Sequence, residues 1–191
     1  MSDSLQVQTT LETIQRECRE AAAPLLHVAE SGVKEVHHFH FDIGTIKDYS
    51  AVDIRKSTEH QEDFKRLAAV QGPVVYVFEI VSSNSPSAVL AMARTYAGLR
   101  AMPAFRSNID DASPVLYVGK VKKALWGRVI QHLGFSKTAG TQGLQLYHWA
   151  RGLRLELKLT AFEFESGMAD LLPLVERAVA KQLKPLLGKH Q

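Results

Sequence analysis

Three short runs of β-branched, aromatic and leucine residues limit what this chain can fold into: Val74–Ile80, Val115–Val118 and Leu153–Leu159. Such runs read as strands. The third alternates cleanly, with Leu153, Leu155, Leu157 and Leu159 on one face and Arg154, Glu156 and Lys158 on the other, and is expected to run on towards Phe164. Helical patterns lie between and after them. Ser85 followed by Pro86 suits a helix start, and Val89, Met92, Ala93, Tyr96 and Leu99 then recur on one face, expected to point inward. A basic helix over Val121–Leu133 and a shorter one within Gly140–Ala150 are expected next, and a last helix from Leu171 to Lys184 is stopped by Pro185. The order strand, insert, strand, helix, helix, strand, helix predicts an α+β fold: a small, largely antiparallel sheet flanked by helices.

Gly72-Pro73 breaks the chain ahead of the first run. It divides the sequence into an N-terminal α/β extension, 1–71, and a main domain, 72–191, with an insertion at about 81–114. Within the extension, Leu11, Ile14, Cys18, Ala21 or Ala22, Leu25 and Val28 share one face of a helix over 9–30, which Pro24 is expected to kink or split. Residues 34–42 alternate as a strand, and a polar helical stretch over 52–70 offers Ile54, Phe64, Leu67 and Val70 as core contacts. Cys18, the single cysteine, excludes an internal disulfide and a cysteine-rich zinc site, and its spacing predicts a buried thiol. His38 and His40 share a strand face, where solvent exposure explains them as well as a metal does. The N-terminus lacks the blocks of a secretory signal and the apolar stretches are too short to cross a bilayer, so a reducing, cytoplasmic setting is expected.

Charge is distributed unevenly. With 23 Lys and Arg against 20 Asp and Glu, the net charge is only +3. Between Ala112 and Leu155, however, there is no acidic residue, while Lys120, Lys122, Lys123, Arg128, Lys137, Arg151 and Arg154 are all present. That stretch carries +7 and the remainder −4, the distribution of a surface that meets a polyanion. Arg94 and Arg100, in the insertion, are candidates for further nucleic-acid contacts.

The tyrosines and their neighbours carry a family resemblance. Val74-Val75-Tyr76 resembles the first motif, and Tyr117-Val118-Gly119 the second, of the GIY-YIG nucleases. Lys120 follows the second motif's glycine, Arg128 stands nine residues after that glycine, and His132 one helical turn further on. Glu176 precedes Pro185 by nine residues, as a glutamate does in the family. The resemblance covers about residues 73–188. Two positions depart from it: Val74 replaces the first motif's glycine, with Gly72 two residues earlier, and Gly188 stands where an asparagine is usual.

The resemblance implies a divalent-metal-dependent endonuclease. Glu176 would hold Mg²⁺ or Mn²⁺, Tyr76 would activate or orient the water, and Tyr117 and His132 would assist proton transfer or bind phosphate. Lys120 and Arg128 would complete the catalytic set. The residue types suit that chemistry. One carboxylate with several waters is an appropriate ligand set for Mg²⁺, and a guanidinium forks onto phosphate oxygens as lysine does not. A tyrosine, with a reference pKa of about 10, needs cations nearby to act as a base. His132 and the long connection between the motifs resemble the restriction or defence branch more than the repair branch. The implied partner is DNA, with RNA as the alternative substrate, and a double-strand cutter with one site per chain is expected to dimerise. The other readings are a catalytically impaired nucleic-acid-binding module and a structural partner docking through residues 1–71.

Overall fold

The computed structural model describes residues 2–106, 113–136, 140 and 142–189, with side chains described from Gln6 onward. The fold is α+β: four antiparallel strands, β1 (Glu35–Asp42), β2 (Val74–Ile80), β3 (Val115–Val121) and β4 (Glu156–Glu163), form one open sheet in the order β1-β4-β2-β3. Six α-helices accompany it among the described residues: α1 (Ser2–Ser31), α2 (Gln61–Ala69), α3 (Pro86–Tyr96), α4 (Leu125–Leu133), α5 (Leu146–Trp149) and α6 (Leu172–Leu183). None is long and apolar enough to cross a membrane.

The N-terminal extension supplies an edge of this sheet. Phe39 and Phe41 of β1 pair with Leu159 and Leu157 of β4 and are buried with them, as alternation predicts. Glu163, at the end of β4, fastens the extension to the linker. Its carboxylate, only 2% exposed, accepts hydrogen bonds from Lys34 Nζ (3.0 Å) and the Gly72 amide (2.8 Å) and meets His37 Nε2 at 3.0 Å. Gly72 is a required glycine, because a Cβ there would stand 2.6 Å from the Phe164 carbonyl oxygen. Val74, two residues on, is fully buried in the sheet.

The two faces of the sheet differ. One carries Tyr76, Phe78, Leu157, Leu159 and Ala161 into the main core, beneath α2, α3, α4 and α5. The other carries Val75, Val77 and Val118 against Leu172, Val175 and Val179 of α6 and against Leu25 and Val28 of α1.

Several local expectations are corrected. α4 begins at Leu125 rather than Val121, which still belongs to β3; Lys122-Lys123-Ala124 is a turn, with Ala124 in the left-handed region at φ 59°. The helix expected within Gly140–Ala150 is one turn at its end, α5. α3 starts as its cap predicts, Ser85 Oγ accepting from the Ala88 amide, but ends at Tyr96, so Leu99 is 71% exposed. α1 continues through Pro24, so the helix is not split there. Cys18 is exposed rather than buried, because residues 6–20 of α1 extend away from the body of the protein.

Candidate active site

Strand register builds the centre of the site. Tyr76 on β2 pairs across the sheet with Gly119 on β3, and the missing side chain at 119 leaves the space that the Tyr76 ring fills. A Cβ on Gly119 would collide with the Tyr76 hydroxyl and lie 2.6 Å from the Tyr117 ring. Tyr117 stands next to it on the same face, ring centres 6.2 Å apart. α4 then lays two residues, four apart, over these rings. His132 sits 5.6 Å from Tyr76, 5.1 Å from Tyr117 and 5.3 Å from Phe78, centre to centre, and Arg128 reaches both tyrosine hydroxyls.

The hydrogen-bond directions follow from one backbone amide. Leu144 N–H donates to His132 Nδ1 at 3.2 Å, so that nitrogen carries a lone pair. His132 has no exposed surface, and burial together with the Arg128 charge holds its pKa well below the ordinary range, so the ring is neutral and its proton is on Nε2. Nε2 therefore donates to the Tyr76 hydroxyl at 2.8 Å, and Arg128 Nε donates to the same oxygen at 3.0 Å. With two donors on its oxygen, Tyr76 keeps its own hydroxyl proton for a third direction. Burial pushes the Tyr76 hydroxyl above its ordinary pKa, with Tyr117 adding to that and Arg128 opposing it. Tyr117 is also raised by burial.

Lys120 and Glu176 join from the other side of the edge strand. Val75 pairs with Lys120, so Lys120 faces the side covered by α6, where its ammonium pairs with the Glu176 carboxylate. The negative charge of Glu176 reaches both tyrosine hydroxyls and raises them. Four residues of the expected catalytic set, Tyr76, Tyr117, Arg128 and His132, are in direct contact. Lys120 and Glu176 form a separate pair on the opposite face of the sheet, near enough for the Glu176 charge to act on both hydroxyls but not in contact with the tyrosines. The cluster is nearly closed: Tyr76 is 1% exposed, Tyr117 9%, and the Glu176 side chain 12%. Arg128 also donates to Gln131 Oε1 (2.8 Å) and to the Gln142 carbonyl (2.7 Å), so its fork is occupied within the protein.

The basic residues outside the cluster are dispersed. Lys122 pairs with Asp170 and Lys123 is exposed in the turn before α4. Arg151 lies beyond the other end of α4, stacked 5.0 Å over Tyr147. Arg100 donates to the Gly134 carbonyl at 3.4 Å and so caps α4, whereas Arg94 is exposed beside Phe105. Lys137 lies outside the described residues. Trp149 is buried, with its indole N–H on the Leu144 carbonyl, and Trp126 is half-buried beneath the Arg55 guanidinium.

A single carboxylate oxygen of Glu176 left over from Lys120 is a donor set suited to Mg²⁺, which retains most of its water. A second group, Glu35, His37 and Glu163, brings three ligand atoms within 4.8 Å of one another. The Lys34 ammonium already sits on Glu163, which marks that group as an ion-pair junction. Sequence reasoning missed Gln131 and the Gln142 and Leu144 backbone groups. The acid-free segment that contains them was the available signal, but loop backbone leaves no residue-type signature. Gly188, in place of the asparagine, has φ 121° and donates its amide to the Ala104 carbonyl, a conformation that favours glycine. Comparison of the chain with family models, with curated proteins and with solved structures finds no match.

Proposed function

We propose that the chain is a divalent-metal-dependent endonuclease of the GIY-YIG type, acting on DNA. The observation that carries this reading is the Tyr76 hydroxyl held between Arg128 Nε and His132 Nε2, one strand away from the Lys120–Glu176 pair. A buried pair of neutral phenols and a neutral imidazole under a guanidinium, with a partly exposed lysine–glutamate pair across the sheet, exceeds what packing requires.

Each residue has a role its protonation allows. His132 acts as a donor that fixes the Tyr76 oxygen, since its other nitrogen is already bonded to Leu144. Tyr76, protonated at neutral pH, directs its remaining proton at a phosphate oxygen and so orients the phosphate, while the proton of the attacking water leaves to solvent. Arg128 exchanges its contact with the Gln142 carbonyl for a phosphate oxygen as substrate arrives. Glu176 would hold the metal, and Lys120, its present partner, would then be left to face the phosphate. The ion would supply charge stabilisation at the phosphate and polarise bound water. Two chains acting together suit cleavage of both strands.

The second reading, a nucleic-acid-binding module without catalysis, is favoured by the closure of the site and the engaged Arg128 fork. Incubation of the full chain with supercoiled plasmid and with structured RNA, in Mg²⁺, Mn²⁺ or EDTA, separates the two. Metal-dependent nicking supports the nuclease. Retarded mobility with no cleavage under any metal supports the binding module.

A further inference from the structure

The strongest unexplained features lie on the far side of the sheet from the tyrosines. Val7, Leu11, Ile14, Cys18, Ala21, Leu25 and Val28 are spaced alternately four and three apart and form one row along α1. The C-terminal end of that row is seated, with Leu25 and Val28 packed against the core under α6. Its other end is bare: Val7 is 59% exposed, Leu11 48% and Ile14 53%, on a helical arm whose residues 6–20 are all exposed. Beside the seated end, the sheet face between β1 and α6 is incompletely covered. An apolar trough of about 760 Å³ remains there, lined chiefly by Val36, Val75, Val77, Phe162, Val175 and Val179, with Val28 of α1 at its margin.

We propose that the arm of one chain fills the trough of a second copy, and that the second copy returns the contact. The row that faces the protein's own body at Leu25 and Val28 continues in the same direction past it, so whatever lies beneath the arm must offer an apolar surface facing the same way. The same chain carries such a surface, and a two-fold axis makes the exchange reciprocal and closed. The chemistry matches on both sides. Gln8, Thr10, Gln15 and Glu17 flank the bare part of the row, and the one charge among them, Glu17, is already paired with Arg16 at 3.1 Å. The trough is mainly apolar, with His38, Thr160 and Gln182 among its polar lining, and its charged pair, Lys158 and Glu79, is already matched at 3.9 Å. The area sets the strength. Fifteen helical residues span about 22 Å and the helix is about 10 Å across, so both surfaces in both copies give a flat footprint of about 900 Å², just under the ~1,000 Å² of a stable specific interface, which predicts a weak, concentration-dependent dimer. This inference is independent of the nuclease reading, because its readout is mass and contact rather than cleavage.

The test uses the full chain in solution. Light scattering across a dilution series should give twice the chain's 21.2 kDa at high concentration. Leu11→Glu with Ile14→Glu, on the exposed arm, and Val36→Glu, on a residue 43% exposed at the trough, should each give a monomer with unchanged circular dichroism. Cys18 is the only cysteine and is exposed, so a photoreactive maleimide placed there reports what the arm touches without altering the core. Cross-links from Cys18 to peptides within 156–163 or 172–183 of a second chain support the exchange. A monomer at all concentrations overturns it. So does a dimer that survives Val36→Glu, or one whose Cys18 cross-links fall on the arm of the other chain, since arms would then pair with each other.

Discussion

Two buried polar clusters stand on the same four-stranded sheet, and they treat charge in opposite ways. Around Glu163 the charge is kept. Burial alone would raise that carboxyl, but hydrogen bonds from His37, Lys34 and the Gly72 amide outweigh it and hold the pKa below the ordinary value. Around Tyr76 the titrating groups are kept neutral: burial raises Tyr76 and Tyr117 and depresses His132. A junction that only holds segments together is best served by matched opposite charges. On the proposed nuclease reading, a site that responds to an arriving phosphate needs groups that can still polarise or exchange partners. Glu176 acts on the second cluster yet is paired like the first, and that mixture is what the mutants below separate.

The largest contrast is expected between the two glutamates. Glu176→Gln is nearly isosteric and lies on a helix anchored by Leu172, Val175 and Val179, so folding should change little. Cleavage should fall by about three orders of magnitude or more, since a neutral amide is a poor Mg²⁺ ligand and several kcal/mol of charge stabilisation are lost. Nucleic-acid binding should persist. Wild-type rates in this variant, under the same metal conditions, would remove Glu176 from the chemistry.

Glu163→Ala should do the reverse. It breaks three hydrogen bonds linking the extension, the linker and β4. Lys34 remains solvated after the loss, so the expected destabilisation is about 2 kcal/mol, with no change in cleavage rate per folded molecule. A urea titration with an unchanged midpoint would show that the junction contributes nothing.

The different legibility of these two clusters in the sequence has a physical reason. Tyr76, Tyr117 and Glu176 stand out because their residue types and spacings resemble a family pattern. Alternation marks β1, but the run expected from Leu153 becomes a strand only at Glu156, because Leu153 ends a 3-10 turn and Arg154 is left-handed. Glu163 looks like one more polar residue at the end of an amphipathic strand; only register brings it to Lys34, His37 and Gly72. The start of α4 was misplaced because Ala124 adopts a left-handed backbone that its residue type does not announce. Cys18 was expected in a core because helical spacing shows that a face is apolar without showing what covers it.

Acid should separate the clusters by window. His132 binds its proton more readily in the unfolded chain than in the fold, so below about pH 6.5 the unfolded state gains protons and stability falls. The slope is at most about 1.4 kcal/mol per pH unit for one group. His60, half-buried and shifted in the same direction, adds to this limb. Glu163 has a depressed folded pKa, so its contribution is present above about pH 4.3 and is lost as pH falls through the folded value. Denaturant midpoints from pH 8 to 3 should therefore fall in two stages. His132→Gln should weaken the first stage only, and Glu163→Ala the second only. A single stage, or a His132→Gln profile parallel to wild type, would place the acid response in other groups.

The smallest effect concerns the approach of the polyanion, and it asks whether only the neutral cluster faces it. Lys122 and Lys123 sit in the turn directly after Lys120, whereas Lys34 borders the Glu163 junction. Each lysine that neutralises a phosphate adds about one unit to the slope of log affinity against log salt. Replacing Lys122 and Lys123 by Gln should lower that slope by one to about two units, the smaller value applying if Asp170 retains Lys122 in the complex. Adding Arg151→Gln should lower it further only if nucleic acid spans α4, because Arg151 lies past that helix's far end, about 14 Å of helix away. Lys34→Gln should leave the slope unchanged, since its ammonium stays committed to Glu163. Filter binding at four salt concentrations distinguishes these slopes. Equal losses from Lys34 and from the Lys122–Lys123 pair would mean that nucleic acid meets both clusters, and the division of labour between them would fail.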